Sequence, residues 1–157
     1  LKGIGKSLSS RQMIEYLESL CKKFNVSSVE DPFSESDWKT WSEFTKEMTN
    51  LQIVGDDLFV TQKELLAKGI KEKSANAILI KLNQVGTLTE TLETIALSKN
   101  NNFSTIISHR SGETEDSFIS DLAVAVNADF IKSGAPARSD RTAKYNRLLI
   151  IENELYP

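Results

Sequence analysis

The chain has 157 residues, and its 19 Lys plus Arg against 22 Asp plus Glu give a formal net charge of −3, which excludes a basic surface suited to nucleic acid or anionic lipid. A content of 39% hydrophobic and 26% charged residues is typical of one folded globular domain and excludes a disordered chain. Cys21 is the only cysteine, which excludes a disulfide framework and favours a reducing compartment, and no apolar run approaches the roughly 18 residues of a membrane span.

Short β-branched runs alternate along the chain with longer amphipathic stretches. The runs predict strands, and apolar residues spaced three and four apart predict helices. In chain order the elements are a helix near Ser10–Phe24, a strand over Val26–Glu30, a helix after Asp37, a strand over Leu51–Asp57, a helix from Thr61, a strand over Ala77–Asn83, a helix from Thr87, a strand over Ser104–Arg110, a helix over Asp116–Asn127, a strand over Asp129–Gly134 and a helix over Ser139–Leu155. Capping-box patterns precede three of the helices: Ser9 with Gln12, Thr61 with Glu64, and Thr87 with Glu90.

The last polar residue of each predicted strand recurs at a regular spacing. These residues are Glu30, Asp56, Lys81, His109 and Lys132, and the intervals between them are 26, 25, 28 and 23 residues. A period of about 25 residues matches one strand followed by one helix. Five such βα units predict an α/β fold with a parallel sheet covered by helices. Right-handed crossovers then bring the carboxyl ends of all five strands to one edge.

The edge formed by these strand ends is where α/β proteins bind ligands. Side chains alternate between two faces, so Lys81 is expected to share a face with Leu79, and His109 with Ile107 and Thr105. In a closed barrel one face would be the lumen, and the five charged or titratable groups would converge there. An equally periodic sheet could instead end in solvated charges, and the spacing alone leaves both interpretations open.

The string Gly5-Lys6-Ser7 is similar to the end of a phosphate-binding P-loop. That motif also requires a glycine five residues before Gly5 and a preceding strand, and the sequence begins too late for either. We therefore predict no nucleotide site at this string.

Five strings of residues occur together in an order that is highly specific. They are Val29-Glu30-Asp31-Pro32-Phe33, Val54-Gly55-Asp56-Asp57-Leu58, Leu79-Ile80-Lys81-Leu82-Asn83-Gln84-Val85-Gly86-Thr87, Ser108-His109-Arg110-Ser111-Gly112-Glu113-Thr114-Glu115-Asp116 and Ile131-Lys132-Ser133-Gly134. With these strings the chain resembles enolase, the glycolytic phosphopyruvate hydratase, particularly a bacterial one, over nearly its whole length. The resemblance implies the last five βα units of a TIM-like barrel, with residues 1–157 as the C-terminal portion of the catalytic barrel domain.

Enolases dehydrate 2-phosphoglycerate to phosphoenolpyruvate through an enolate that two magnesium ions stabilise, so the resemblance implies Mg2+ as the cofactor. Matched to the family motifs, Glu30 and Asp56 would be magnesium ligands and Lys81 would be the general base. Carboxylate oxygens are ligands that Mg2+ prefers. A lysine acts as a base near neutral pH only where burial and neighbouring cations disfavour its charged form. Asp31, Glu35 and Asp57 are expected to be solvated acids or local hydrogen-bond partners.

The resemblance assigns four further residues to the substrate. His109 would line the pocket, Arg110 and Ser111 would hold the phosphate, and Lys132 would hold the carboxylate. Arginine offers a planar fork of donors that suits phosphate oxygens, and a serine hydroxyl adds one more donor. Cations beside the substrate carboxylate would also stabilise the developing enolate.

The resemblance also implies parts that the segment would lack. These are the family's N-terminal domain, the first barrel strands, the glutamate that serves as general acid and a third carboxylate ligand of magnesium. The sequence opens at Leu1 with neither an initiator Met nor a signal peptide. We therefore expect a cut or incomplete chain that is inactive alone, because elimination of hydroxide needs an acid on the leaving group.

The family resemblance implies a cytoplasmic enzyme that forms homodimers or larger homo-oligomers as the full-length protein, with surface or secreted display also open to it. Two alternatives to this interpretation remain. One is another enolase-superfamily dehydratase acting on an acid or a sugar. The phosphate-binding pair Arg110 and Ser111 argues against it. The other is a non-catalytic fragment that acts by binding other proteins.

Overall fold

The computed structural model describes Gly5 and residues 7–157. Lys6 lies outside the described residues, and with it the centre of the P-loop-like string. Within the described part, no helix combines the length and the apolar character needed to cross a bilayer.

Five parallel strands form one sheet in the order of the sequence. They are β1 (Ser28–Glu30), β2 (Gln52–Gly55), β3 (Ala77–Ile80), β4 (Ser104–Ser108) and β5 (Phe130–Lys132). The helices are α1 (Ser10–Phe24), α2 (Trp38–Glu47), α3 (Lys63–Glu72), α4 (Leu82–Val85), α5 (Leu88–Asn100), α6 (Phe118–Ala125) and α7 (Ser139–Leu155). A helix follows every strand, so the predicted fold of five βα units is confirmed.

The strands are shorter than the sequence pattern predicted. β2, β3 and β4 end one residue before Asp56, Lys81 and His109, so these three residues occupy the first loop position after a strand. The Asp56 and Lys81 N–H groups donate to side chains rather than to the neighbouring strand, whereas the His109 N–H still donates to the Lys132 carbonyl of β5 at 2.9 Å.

Two of the three predicted helix caps are present. The Ser9 hydroxyl accepts a hydrogen bond from the Gln12 N–H at 3.3 Å, and the Gln12 side chain accepts one from the Ser9 N–H at 3.0 Å, which completes a capping box on α1. The Thr87 hydroxyl accepts from the Glu90 N–H at 3.2 Å and caps α5. These bonds satisfy donors that the first helical turn leaves unpaired.

The predicted capping box of Thr61 with Glu64 is wrong. Gln62 is the cap residue of α3 and makes no side-chain capping bond. The Thr61 hydroxyl instead accepts from the Lys81 N–H at 2.9 Å and donates to the Gln84 side chain at 2.7 Å. Because Thr61 is fully buried, its hydroxyl pairs with the loop that follows β3 rather than with its own helix.

The two faces of the sheet carry different apolar clusters. One face packs against the helices and contains Ile53, Ile78, Ile80 and Ile107 within the main core. The opposite face carries a smaller cluster of Val54, Ala77, Leu79 and Ile106. This alternation along the strands is the period-two pattern that the sequence predicted.

The sheet is curved like part of a barrel. The ammonium group of Lys132, at the end of β5, lies 2.7 Å from both carboxylate oxygens of Glu30, at the end of β1. In a flat sheet the outer two of five strands would be about 19 Å apart. A lysine and a glutamate cannot span that distance together, so the carboxyl ends of the outer strands must curl toward each other.

The shared face predicted for His109, Ile107 and Thr105 does not hold beyond the end of β4. Ile107 is buried on the helix-covered face. Ser108, which pairs in register with Lys132, is the last β4 residue on the opposite face. His109 lies at the carboxyl-end edge of the sheet, one residue beyond the end of β4, and the alternation of side chains between the two faces no longer applies to it.

Phe59 fills the space between β2 and α3. It is fully buried, and its ring lies directly on two glycines. A Cβ atom at Gly55 would stand 2.6 Å from Phe59 Cδ2, and one at Gly69 would stand 2.7 Å from Phe59 Cζ. These separations are shorter than carbon atoms tolerate, so both positions depend on the absence of a side chain.

We expect Gly69→Ala to lower the free energy of unfolding by about 1–3 kcal/mol, because the added methyl overpacks the site of Phe59. This loss should outweigh the gain of about 1 kcal/mol that alanine usually brings to a helix interior. Urea denaturation measures the change. Gly112→Ala is the matched control, since a Cβ there would meet no atom within 4 Å. Equal effects of the two substitutions would contradict the packing described.

Candidate active site at the carboxyl ends of the strands

All seven residues predicted for the site lie at one edge of the sheet. They are Glu30 at the end of β1, Asp56 after β2, Lys81 after β3, His109, Arg110 and Ser111 after β4, and Lys132 at the end of β5. Parallel strands with right-handed crossovers place their carboxyl ends together, and the curvature of the sheet narrows the space between them.

Three carboxylates lie close together at the ends of β1 and β2. Glu30, Asp31 and Asp56 each offer an oxygen, and these oxygens lie within 4.8 Å of one another. Asp56 is 6% exposed, and its Oδ1 atom is buried without a hydrogen-bond partner among the described residues. A buried carboxylate oxygen with a free lone pair, beside two more carboxylates, fits a hard divalent cation such as Mg2+.

Asp31 holds the turn that carries Asp56. Its two carboxylate oxygens accept hydrogen bonds from the Asp56 N–H at 2.9 Å and the Asp57 N–H at 3.0 Å. Burial raises the pKa of Asp31, although the two N–H donors oppose this shift. The expected local hydrogen-bonding role of Asp31 is therefore confirmed.

Lys81 is paired with Asp56. The ammonium nitrogen donates to Asp56 Oδ2, and both side chains are largely buried, with exposures of 15% and 9%. A salt bridge removed from water in this way is sensitive to the loss of either partner, because the remaining charge would be buried alone. The pair joins the predicted base directly to the predicted metal ligand.

A cavity of about 310 Å³ opens beside this pair. The residues that line it are Lys81, Ser108, His109, Arg110, Ser111 and Lys132. Five of the six were predicted from the sequence, and Ser108 was not. The register of β4 on β3 would have revealed it, because strict alternation places Ser108 on the face of Leu79.

The lining of the cavity is suited to an anion. Lys81, Arg110 and Lys132 bring positive charge, while Ser108 and Ser111 bring hydroxyl groups. In this structure Lys132 is bound by Glu30, and both side chains remain partly exposed, at 43% and 35%. An ion pair open to water contributes only about 0–1 kcal/mol, so a ligand carboxylate can replace it at small cost.

The loop after β4 is held by two buried cations of α7. Arg141 donates from its guanidinium to His109 Nδ1, and Lys144 forms a 2.7 Å ion pair with Glu113. The other Glu113 oxygen accepts from the Arg110 N–H at 2.9 Å. Burial opposes ionisation of Glu113, but its bonds with Lys144 and Arg110 lower its pKa.

Sequence reasoning missed Arg141 and Lys144. A signal was present, because Arg141 stands in the first turn of α7, where the positive end of the helix dipole disfavours a cation. A residue that conflicts with its local environment indicates a role set by tertiary contacts.

The parallel half-barrel, its outer helices and the site at the carboxyl ends of its strands place the molecule in the TIM-barrel class. The chain belongs to the enolase family, since residues 2–156 match the enolase C-terminal TIM barrel domain. It is 55% identical to the enolase of Natranaerobius thermophilus over 157 residues, which are 99% of this chain and 37% of that protein. The chain therefore spans about two-fifths of the length of this curated relative, and the family resemblance drawn from the motifs is confirmed.

We expect the free energy of unfolding to decrease as the pH is lowered below about 6.5, because of His109. Burial lowers the pKa of His109, the Arg141 and Lys132 cations lower it further, and Glu113 opposes them. The unfolded chain then binds more protons than the folded chain just below the ordinary histidine pKa. The free energy of unfolding therefore rises with pH in that window, and the contribution of His109 is complete above it.

Urea denaturation at about pH 7.5 and about pH 5.5 measures this dependence. His109→Asn is the comparison, because its amide oxygen can accept from Arg141 but does not titrate. The chain contains one histidine, so the difference between the two pH profiles reports on His109 alone. Identical profiles would contradict the expectation.

Proposed function

We propose that this chain supplies the proton-abstracting and anion-binding half of an enolase active site, which dehydrates 2-phosphoglycerate reversibly to phosphoenolpyruvate. The observation that carries the proposal is the convergence of Lys81, His109, Arg110 and Lys132 on one cavity, with the Asp56 carboxylate beside it. A lysine, a carboxylate and several anion-binding groups are what proton removal next to a carboxylate requires.

Lys81 is the general base in this proposal. Thr61 fixes its backbone N–H and Asp56 orients its side chain, so the nitrogen has a defined position beside the cavity. With the ammonium deprotonated, Nζ takes the proton from the carbon next to the substrate carboxylate. The surrounding cations stabilise the negative charge that develops on that carboxylate as the proton leaves.

Glu30 and Asp56 are the residues that would hold Mg2+, and the buried, unpartnered Oδ1 of Asp56 is the atom that fits it. When bound, the ion supplies positive charge that stabilises the enolate. Asp31 is assigned to holding the turn that carries Asp56, because its two oxygens accept the Asp56 and Asp57 N–H groups.

The phosphate and the carboxylate of the substrate bind to different residues of the cavity lining. Arg110 and Ser111 bind the phosphate oxygens from the loop after β4, and Lys132 binds the carboxylate from the end of β5. Holding both ends of a small substrate fixes its acidic carbon beside Lys81. Such positioning contributes several kcal/mol to lowering a barrier.

The chain covers 37% of the related enolase, so we propose that residues 1–157 are the C-terminal portion of a catalytic barrel domain. The remaining portion would supply the acid that protonates the leaving hydroxide and further magnesium ligands. We also propose that the complete protein acts in the cytoplasm as a homodimer or larger homo-oligomer.

We expect Mg2+ to raise the thermal unfolding midpoint of the chain, because an ion that binds only the folded state stabilises it. The rise should be roughly 2–4 °C for each kcal/mol by which Mg2+ binding stabilises the folded chain. Asp56→Asn should abolish it. The matched control is Asp57→Asn, which changes the exposed neighbouring acid and should retain the shift. Equal shifts in the two variants would contradict the assignment of Asp56.

Activity is tested by combining the chain with the amino-terminal portion of an enolase and following phosphoenolpyruvate formation. We expect activity in the mixture and none from the chain alone. Lys81→Ala should lower kcat by about 10²-fold or more, since it removes the general base. Lys39→Ala is the control, because that side chain is 87% exposed on α2. Equal activity of the two variants would contradict the role of Lys81, and turnover by the chain alone would contradict the need for completion.

A further inference from the structure

Arg141 is a buried arginine on α7 that faces the loop after β4. It is 7% exposed, and it lies outside the group of residues that line the cavity. Its guanidinium makes three hydrogen bonds to consecutive residues of that loop: to His109 Nδ1, to the Arg110 carbonyl at 2.8 Å and to the Ser111 carbonyl at 2.9 Å. One planar group thus fixes three successive positions.

The bond to His109 determines where the imidazole proton is. An arginine only donates, so Nδ1 must accept and cannot carry a hydrogen. The remaining proton of a neutral ring is then on Nε2, which makes no hydrogen bond to any residue that the structure describes and is not buried. The N–H donor of His109 is therefore on its unpaired nitrogen, and the residue lines the cavity.

Gly134 leaves room for the Arg141 side chain beside the His109 imidazole. Its φ of +80° lies in the region that favours glycine, and an added Cβ would be 3.1 Å from Arg141 Cδ and 3.3 Å from His109 Cε1. The arginine stem and the imidazole edge therefore pack over a bare backbone segment just after Lys132. This contact ties α7, β5 and the loop after β4 into one unit.

A second cation reinforces the same loop. Lys144 is fully buried, pairs with Glu113 and donates to the Asp140 carbonyl at 2.7 Å. Glu113 in turn accepts from the Arg110 N–H. The backbone of Arg110 is therefore held on both sides, with its N–H bound to Glu113 and its carbonyl bound to Arg141.

We propose that Arg141 is a positioning residue for the anion-binding loop: it holds His109 as the neutral Nε2–H tautomer and fixes the backbone from which the Arg110 and Ser111 side chains reach the ligand. The consequence for catalysis rests on the proposed function, whereas the tautomer is a property of the chain itself. The shape of the loop depends on this arginine although the arginine does not line the cavity.

The tautomer is tested by ¹⁵N NMR of the chain labelled at histidine. His109 is the single histidine, so both ring nitrogens give unambiguous signals. At about pH 7.5, above the ordinary histidine pKa, we expect a protonated, pyrrole-type Nε2 and an unprotonated, pyridine-type Nδ1. Arg141→Met should average the two signals through tautomer exchange, and Arg141→Lys should do so in part, because a lysine has no planar fork.

The matched control is Arg147→Met, which removes another α7 arginine, one that binds Asp121 rather than the loop. This variant should keep the Nε2–H signals. A Nδ1–H tautomer or an imidazolium in the unaltered chain would overturn the proposal. So would unchanged signals in folded Arg141→Lys and Arg141→Met. If the methionine variant does not fold, the lysine variant alone decides.

The effect on catalysis is measured after combination with the amino-terminal portion of an enolase. Arg141→Lys should lower kcat/KM by about 10²-fold through misplacement of the loop, and Arg147→Met should leave it unchanged. A normal kcat/KM in Arg141→Lys would overturn the positioning role. If the unaltered combination is inactive, the proposed function fails, while the NMR result still decides whether Arg141 sets the tautomer.

Discussion

The curvature of the parallel sheet is the constraint on which the site depends. Five strands in sequence order give an edge at which every carboxyl end is exposed, but only a curled sheet brings the first and last of these ends within reach of each other. The contact between Glu30, at the end of β1, and Lys132, at the end of β5, shows that the outer strand ends meet, although 102 residues separate the two along the chain. Barrel geometry is therefore present in the half-barrel itself, and the loops add side chains to an edge that already has the required shape.

The site keeps its charges in balance by internal pairing. Lys81 is matched by Asp56, Lys132 by Glu30, and Lys144 by Glu113. These pairs differ in exposure, and the difference separates their roles. The Lys144 pair is deeply buried and serves the architecture of the loop, whereas the Lys132 pair is open to water and can be exchanged for contacts with a ligand. Asp56 lies between these extremes, with one oxygen paired and the other without a partner.

The sequence was sufficient to predict the strands, their parallel order and the residues at their ends, because these depend on hydrophobic periodicity and on the regular interval of the βα unit. It failed at Thr61, Ser108 and Arg141. Thr61 has a perfect local capping pattern, but burial between two strand ends gives its hydroxyl other partners. Ser108 needed the register of one strand on another, and Arg141 contacts a loop about thirty residues away. Contacts of this kind are set by tertiary packing, which short-range patterns do not encode.

The dependence of the loop after β4 on α7 has a consequence for biosynthesis. A ribosome delivers residues 109–114 well before the helix that carries Arg141 and Lys144, and domains fold progressively as the chain emerges. Until that last helix has left the exit tunnel, the Arg110 and Ser111 carbonyls lack their guanidinium donor, and Glu113 lacks its ammonium partner. The loop after β4 of the nascent polypeptide thus gains these contacts only after α7 has emerged from the tunnel.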